Sequence, residues 1–80
     1  MSMNYMFRTS SLLLLKINNG ITIKKLAFDS QISYSEIFKK NKMFLEQGII
    51  TFKNSYPKKY VLTLKGLRVK EELQKIFGVL

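Results

Sequence analysis

Between residues 33 and 42 the chain sets the hydroxyls of Ser33, Tyr34 and Ser35 ahead of the lysines Lys39, Lys40 and Lys42. Hydroxyls donate and accept hydrogen bonds without carrying charge, and a lysine is a strongly hydrated point charge with three donors. The chemistry of this stretch is recognition of an anion that also has hydrogen-bonding edges. A second basic group follows at Lys53, Lys58 and Lys59, with Tyr56 among them, and a smaller one precedes at Lys24 and Lys25. Groups that make and break bonds are sparse. The chain has no His and no Cys, and its five carboxylates are scattered rather than paired. Without a glycine-rich phosphate loop or metal-ligand spacing, enzymatic activity is not expected, nor is a cofactor or a metal site.

Charge points the same way. Fourteen Lys and Arg against five Asp and Glu give a net charge of +9, which favours nucleic acid as partner and, less often, anionic lipid. That charge is not evenly spread. Residues 49–65 carry Lys53, Lys58, Lys59 and Lys65 with no acid, whereas residues 33–48 set three lysines against Glu36 and Glu46. The stronger grip on phosphate is therefore expected from the segment after Gly48.

Eighty residues form one domain, residues 1–80, large enough to bury only roughly 60–65% of its unfolded surface. No thiol is present to staple it. The apolar run Leu12 to Leu15 is far shorter than the ~20 residues a membrane helix needs. With no cleavage site after that run, a cytoplasmic location is expected and no membrane partner.

The elements that must position the basic groups can be read from period and punctuation. A first helix is expected from Tyr5 to Ile17, stopped by "NNG"; its four leucines cover more than half the circumference, so it is buried on more than one side. Met3, Tyr5, Met6 and Phe7 extend that apolar surface. Ile21 suits a short strand, and Thr22 suits the cap of a helix ending near Asp29 with Ile23, Leu26 and Ala27 inward. The next helix, "SYSEIFKKNKMFLEQG", starts with Ser33 and Glu36 spaced as a capping box and ends at Gly48. "IITFK" and "KYVLTL", separated by the turn cluster "NSYPK", form a hairpin. A last helix runs from Gly66 to Phe77, with Thr63 or Lys65 leading in and Gly78 punctuating its end. Val69, Leu73, Ile76 and Leu80 form its apolar stripe, and Glu71 and Lys75 an exposed pair. The fold class is α+β: helix, short strand, helix, helix, β-hairpin, C-terminal helix.

On a helical wheel at about 100° per residue, Ile37, Phe44, Asn41, Tyr34, Leu45 and Phe38 share an arc of roughly 120°. Ile37, Phe44 and Leu45 are expected in the core. Ser35, Lys39, Lys42 and Glu46 lie opposite. A short helix, a tight connection and a second helix with a polar outer face make a helix-turn-helix, whose second helix enters the DNA major groove. Ser33, Tyr34, Ser35, Lys39 and Lys42 are then the candidate base contacts. Lys24, Lys25, Lys53, Tyr56, Lys58 and Lys59 are the candidate contacts to the DNA backbone, the hairpin tip reaching either phosphate or the minor groove.

Two stretches, "ITIKKLAFDSQISYSEIFKKNKMFLEQGIITFK" and "YVLTLKGLRVKEEL", make the chain similar to winged helix-turn-helix transcriptional regulators. The likeness is greatest to small archaeal or archaeal-virus members with MarR-like organisation. "LTLKG" resembles the family's Leu-Thr-x-x-Gly junction between the second wing strand and the last helix, and "FLEQGIIT" the passage from recognition helix to wing. The resemblance implies a supporting helix Ile23 to Asp29, a recognition helix Ser33 to Gln47 and a wing from Ile49 to Leu64. Ala27 and Ile37 match the small and branched core positions. Gln31 departs from the common turn glycine, and Lys40 from a common core hydrophobe, which is expected to weaken the packing slightly. Family members are usually homodimers through their terminal helices. Leu12, Leu13, Leu15, Leu73, Ile76 and Phe77 are the corresponding candidates here. Double-stranded DNA and a second copy are thus the expected partners, in the host cytoplasm if the chain is viral. The alternative is a winged-helix module that contacts protein or RNA through its terminal apolar surface.

Overall fold

The structure is a computed structural model that describes the backbone of residues 2–77 and the side chains of residues 8–77. Among the described residues it is α+β, with four helices and one antiparallel hairpin: α1 (Ser2–Lys16), α2 (Ile23–Ser30), α3 (Tyr34–Glu46), β1 (Ile50–Lys53), β2 (Lys59–Leu62) and α4 (Leu64–Phe77). None of these helices is long and apolar enough to cross a membrane. The expected order of helices and hairpin holds, without the short strand between the first two helices. Gly78, Leu80 and the side chains of Met3, Tyr5, Met6 and Phe7 lie outside the described residues.

Each boundary has a local cause. Thr22, in extended backbone, accepts the Lys25 N–H and opens α2, as its sequence position suggested. Ser33 does the same for α3 through the Glu36 N–H at 3.3 Å. Glu36 does not complete the capping box, because its carboxylate turns to Lys40, 3.5 Å away. Between the two helices Gln31 takes the left-handed conformation, φ +61°, so this position keeps the backbone of a turn glycine without being one. Gly48, φ +72°, closes α3 by donating to the Leu45 carbonyl.

The hairpin pairs Ile50 with Leu62, Thr51 with Val61, Phe52 with Tyr60 and Lys53 with Lys59. Period two then sends Ile50, Tyr60 and Leu62 into the core while Lys53 and Lys59 stay exposed. The short strand expected at Ile21 is reduced to one bridge, Thr22 with Lys59, flanked by the bonds Gly20 N–H to the Tyr60 carbonyl and Tyr60 N–H to the Ile21 carbonyl.

The "LTLKG" junction shows why those residues occur together. The Thr63 hydroxyl accepts the Gly66 N–H at 2.9 Å, capping α4 two residues earlier than the expected start, and donates to the Gly48 carbonyl at 2.6 Å. A Cβ at Gly66 would run into the Ile49 carbonyl oxygen, so glycine lets α4 lie against the backbone entering β1.

The core gathers Leu13, Leu14 and Ile17 of the first helical segment with Leu26, Ile37, Phe44, Ile49, Ile50, Tyr60, Leu62 and Leu73. Several expectations change here. Leu13 and Leu73 are buried within the chain, so they are core residues and cannot be offered to a second copy as free surface. Leu45 is 44% exposed instead of buried, because neither the hairpin nor α2 covers that flank of α3. Ile76 is exposed, so the stripe of α4 ends at Leu73. Lys75 pairs with Glu72 at i, i+3, not with Glu71.

Candidate nucleic-acid interface

Helix α3 is two-sided, as the wheel required. Ile37, Lys40, Asn41 and Phe44 are buried, while Ser33, Ser35, Lys39, Lys42 and Glu46 face outward. Lys40 sits on the core side and is buried, its ammonium led out to Glu36; a long aliphatic stem fills a core position while its head stays paired. Ser33 and Ser35 stand together at the start of the helix, their hydroxyl oxygens 3.4 Å apart, beside the free N–H groups and partial positive charge of the first turn.

One buried hydrogen bond joins this helix to the hairpin. The Tyr60 hydroxyl donates to Asn41 Oδ1 at 2.7 Å, with Tyr60 fully buried and Asn41 nearly so. Phe52 packs on the Tyr60 ring, centroids 4.8 Å apart. Burial pushes the Tyr60 phenol up to about 12. Asn41 therefore serves a position inside the protein, and it fixes the hairpin relative to α3.

On the hairpin, Lys53 and Lys59 are directly opposed across the ladder and Lys58 is exposed beside them. Tyr56 is fully exposed in the turn. Like charges directly opposite one another destabilise a sheet, and an anion lying between them removes that cost. Lys24 is exposed on α2. Lys25 is exposed too, but its ammonium lies 3.4 Å from Asp29 and 5.9 Å from the centre of the Phe28 ring, an exposed pairing of little worth.

Not every basic residue is free for a partner. Lys65 donates to the Gln47 carbonyl at the end of α3, at 2.7 Å. Lys70 is buried and donates to the Ile17 carbonyl at 2.7 Å and Asn18 Oδ1 at 2.8 Å, closing the end of α1; burial lowers its pKa. Among the described residues, Lys39, Lys42, Lys53, Lys58 and Lys59 make no ion pair.

Tyr34 and Phe38 were placed by the wheel in the apolar arc. They are 48% and 55% exposed and stack on each other, centroids 6.3 Å apart. A cleft of about 440 Å³ lies between α1 and the α2–α3 turn, lined among others by Leu12, Lys16, Gln31, Ser33 and Glu36, so it borders the start of α3. Of the remaining residues expected between two copies, Leu12 and Phe77 are more than two-fifths exposed, Ile76 more so, and Leu15 is half-buried.

The described residues thus define a small α+β protein with a two-sided helix tied to a basic hairpin. No protein-family model, no curated protein and no solved structure matches the chain.

Proposed function

We propose that this chain is a homodimeric, sequence-specific double-stranded DNA-binding transcriptional regulator of the winged helix-turn-helix type. The observation that carries the reading is the buried Tyr60–Asn41 hydrogen bond. It holds a hairpin bearing three unpaired lysines in a fixed relation to a capped helix whose free side bears Ser35, Lys39 and Lys42. In this reading α3 enters the major groove with its first turn nearest the bases, and the hairpin lies on the flanking backbone or minor groove. Ser33, Tyr34, Ser35, Lys39 and Lys42 contact bases. Lys24, Lys25, Lys53, Lys58, Lys59 and Tyr56 contact the backbone and set register and affinity without reading sequence. The exposed Leu12, Ile76 and Phe77 at the outer helices supply the contact between copies.

The test is binding to mixed-sequence duplex across a salt series. Each lost phosphate contact should lower the salt slope by about one unit on every sequence. Lys53→Ala, Lys58→Ala and Lys59→Ala together should flatten it by about three units. An unchanged slope would remove the hairpin from the interface. The exposed apolar residues of α1 and α4 also favour a second reading, a module that contacts protein or RNA. Absence of duplex binding at low salt would select it.

A further inference from the structure

The flank of α3 that carries Tyr34, Phe38 and Leu45 is unaccounted for by packing. Measured from Ile37 at the centre of the buried side, these three lie about 60–100° around the helix, and Lys42 and Ser35 about 140–160°. Asn41, about 40° around on the same side, bonds the hairpin, whereas Glu36 on the other side lines the cleft against α1. The exposed aromatic flank therefore lies between the lysine face and the hairpin. Tyr34 and Phe38 stack into one continuous apolar surface there, and Lys42, one turn beyond Phe38, borders it.

An apolar strip with the unpaired Lys42 at its edge fits an anionic partner that also presents apolar groups. Duplex DNA has one such group in the major groove, the C5-methyl of thymine. We infer that Tyr34 and Phe38 form a reading surface for thymine methyl groups, so that site choice rests on apolar contacts there as well as on hydrogen bonds from the lysine face. The inference rests on the DNA-binding reading above and adds Phe38 to the residues that determine specificity. A neutral apolar contact of this kind adds discrimination that salt does not screen, which the lysines cannot supply.

The test uses a duplex that the full chain selects from a random pool, and the same duplex made with deoxyuridine in place of thymidine. The exchange removes the methyl groups and leaves every hydrogen-bonding edge in place. Affinity should fall about fourfold for each methyl in contact, equally at low and high salt. Phe38→Ala and Tyr34→Ala, both at exposed positions, should each lose part of that discrimination, and the double variant should bind the two duplexes alike, all with the wild-type salt slope. Equal binding of both duplexes by the wild type would overturn the inference while leaving DNA binding intact. So would a Phe38→Ala variant that keeps full discrimination, or one that loses self-association in sedimentation while still discriminating, which would give the flank to a second copy. If the pool yields no bound duplex, the DNA reading itself fails.

Discussion

Removing the Tyr60 hydroxyl tests the joint between α3 and the hairpin. Tyr60→Phe leaves Asn41 Oδ1 buried without its donor, a loss worth about 1–3 kcal/mol. Asn41→Leu strands the hydroxyl in the same way and should cost a similar amount. Together the two substitutions replace both partners by apolar groups, so the double variant should lie closer to the wild type than the sum of the singles, with a coupling of about 1–2 kcal/mol. Urea unfolding of the four proteins measures this directly. The same phenol adds an alkaline signature. Its pKa in the folded chain is about 12, above the usual 10.0, so between those values the unfolded chain loses its proton and the folded chain keeps it. Stability present at neutral pH is therefore lost as pH rises through that window. Tyr60→Phe should remove this fall. Lys70 works in the opposite sense, its lowered pKa making stability rise with pH just below 10.5, and it is common to both proteins. Additive single and double variants, or an alkaline profile unchanged by Tyr60→Phe, would refute the buried joint.

Two further substitutions address the frame around that joint. Gly66→Ala should destabilise by about 1–3 kcal/mol despite alanine's better helix propensity, because the new methyl meets the Ile49 backbone; a higher urea midpoint would show that α4 does not lie against that carbonyl. Lys70→Met should cost about 1–2 kcal/mol at neutral pH by leaving the Ile17 carbonyl and Asn18 without their donor, and should abolish the rise in stability at high pH. An unchanged melting temperature would make the Lys70 contacts incidental.

The order of elements was legible because each boundary carries its own chemistry. Thr22, Ser33 and Gly48 announce their ends through capping and left-handed backbone, and both strands read from β-branched and aromatic content. The errors share a cause. A wheel gives the direction of a side chain but not what stands in that direction. Leu45, Tyr34 and Phe38 point within the apolar arc, yet the four-residue strands do not cover that flank of α3. Leu13 lies in a run of four leucines, and no local rule separates it from the exposed Leu12. The Asn41–Tyr60 bond spans 19 residues and had no signal beyond an amide on the apolar face.

Charge was legible in amount and misleading in distribution. Lys40, Lys65 and Lys70 count toward the +9, but each has its ammonium held by a group of the fold: a carboxylate on its own helix, the carbonyl ending α3 and the carbonyl ending α1. Helix C-termini carry partial negative charge on unpaired carbonyls, so a lysine placed there has its charge partly offset. Subtracting those three leaves eleven basic residues, seven of them on α2, the outer side of α3 and the hairpin, and Arg8, Lys16, Arg68 and Lys75 on α1 and α4. Lys53 and Lys59 stand out among them, as two like charges opposed in register at the base of an exposed turn. In the DNA-binding reading, a polyanion bound there would offset that repulsion and stabilise the folded chain by mass action. The lysines thus divide between those whose ammonium a group of the fold holds and those left exposed and without an ion pair.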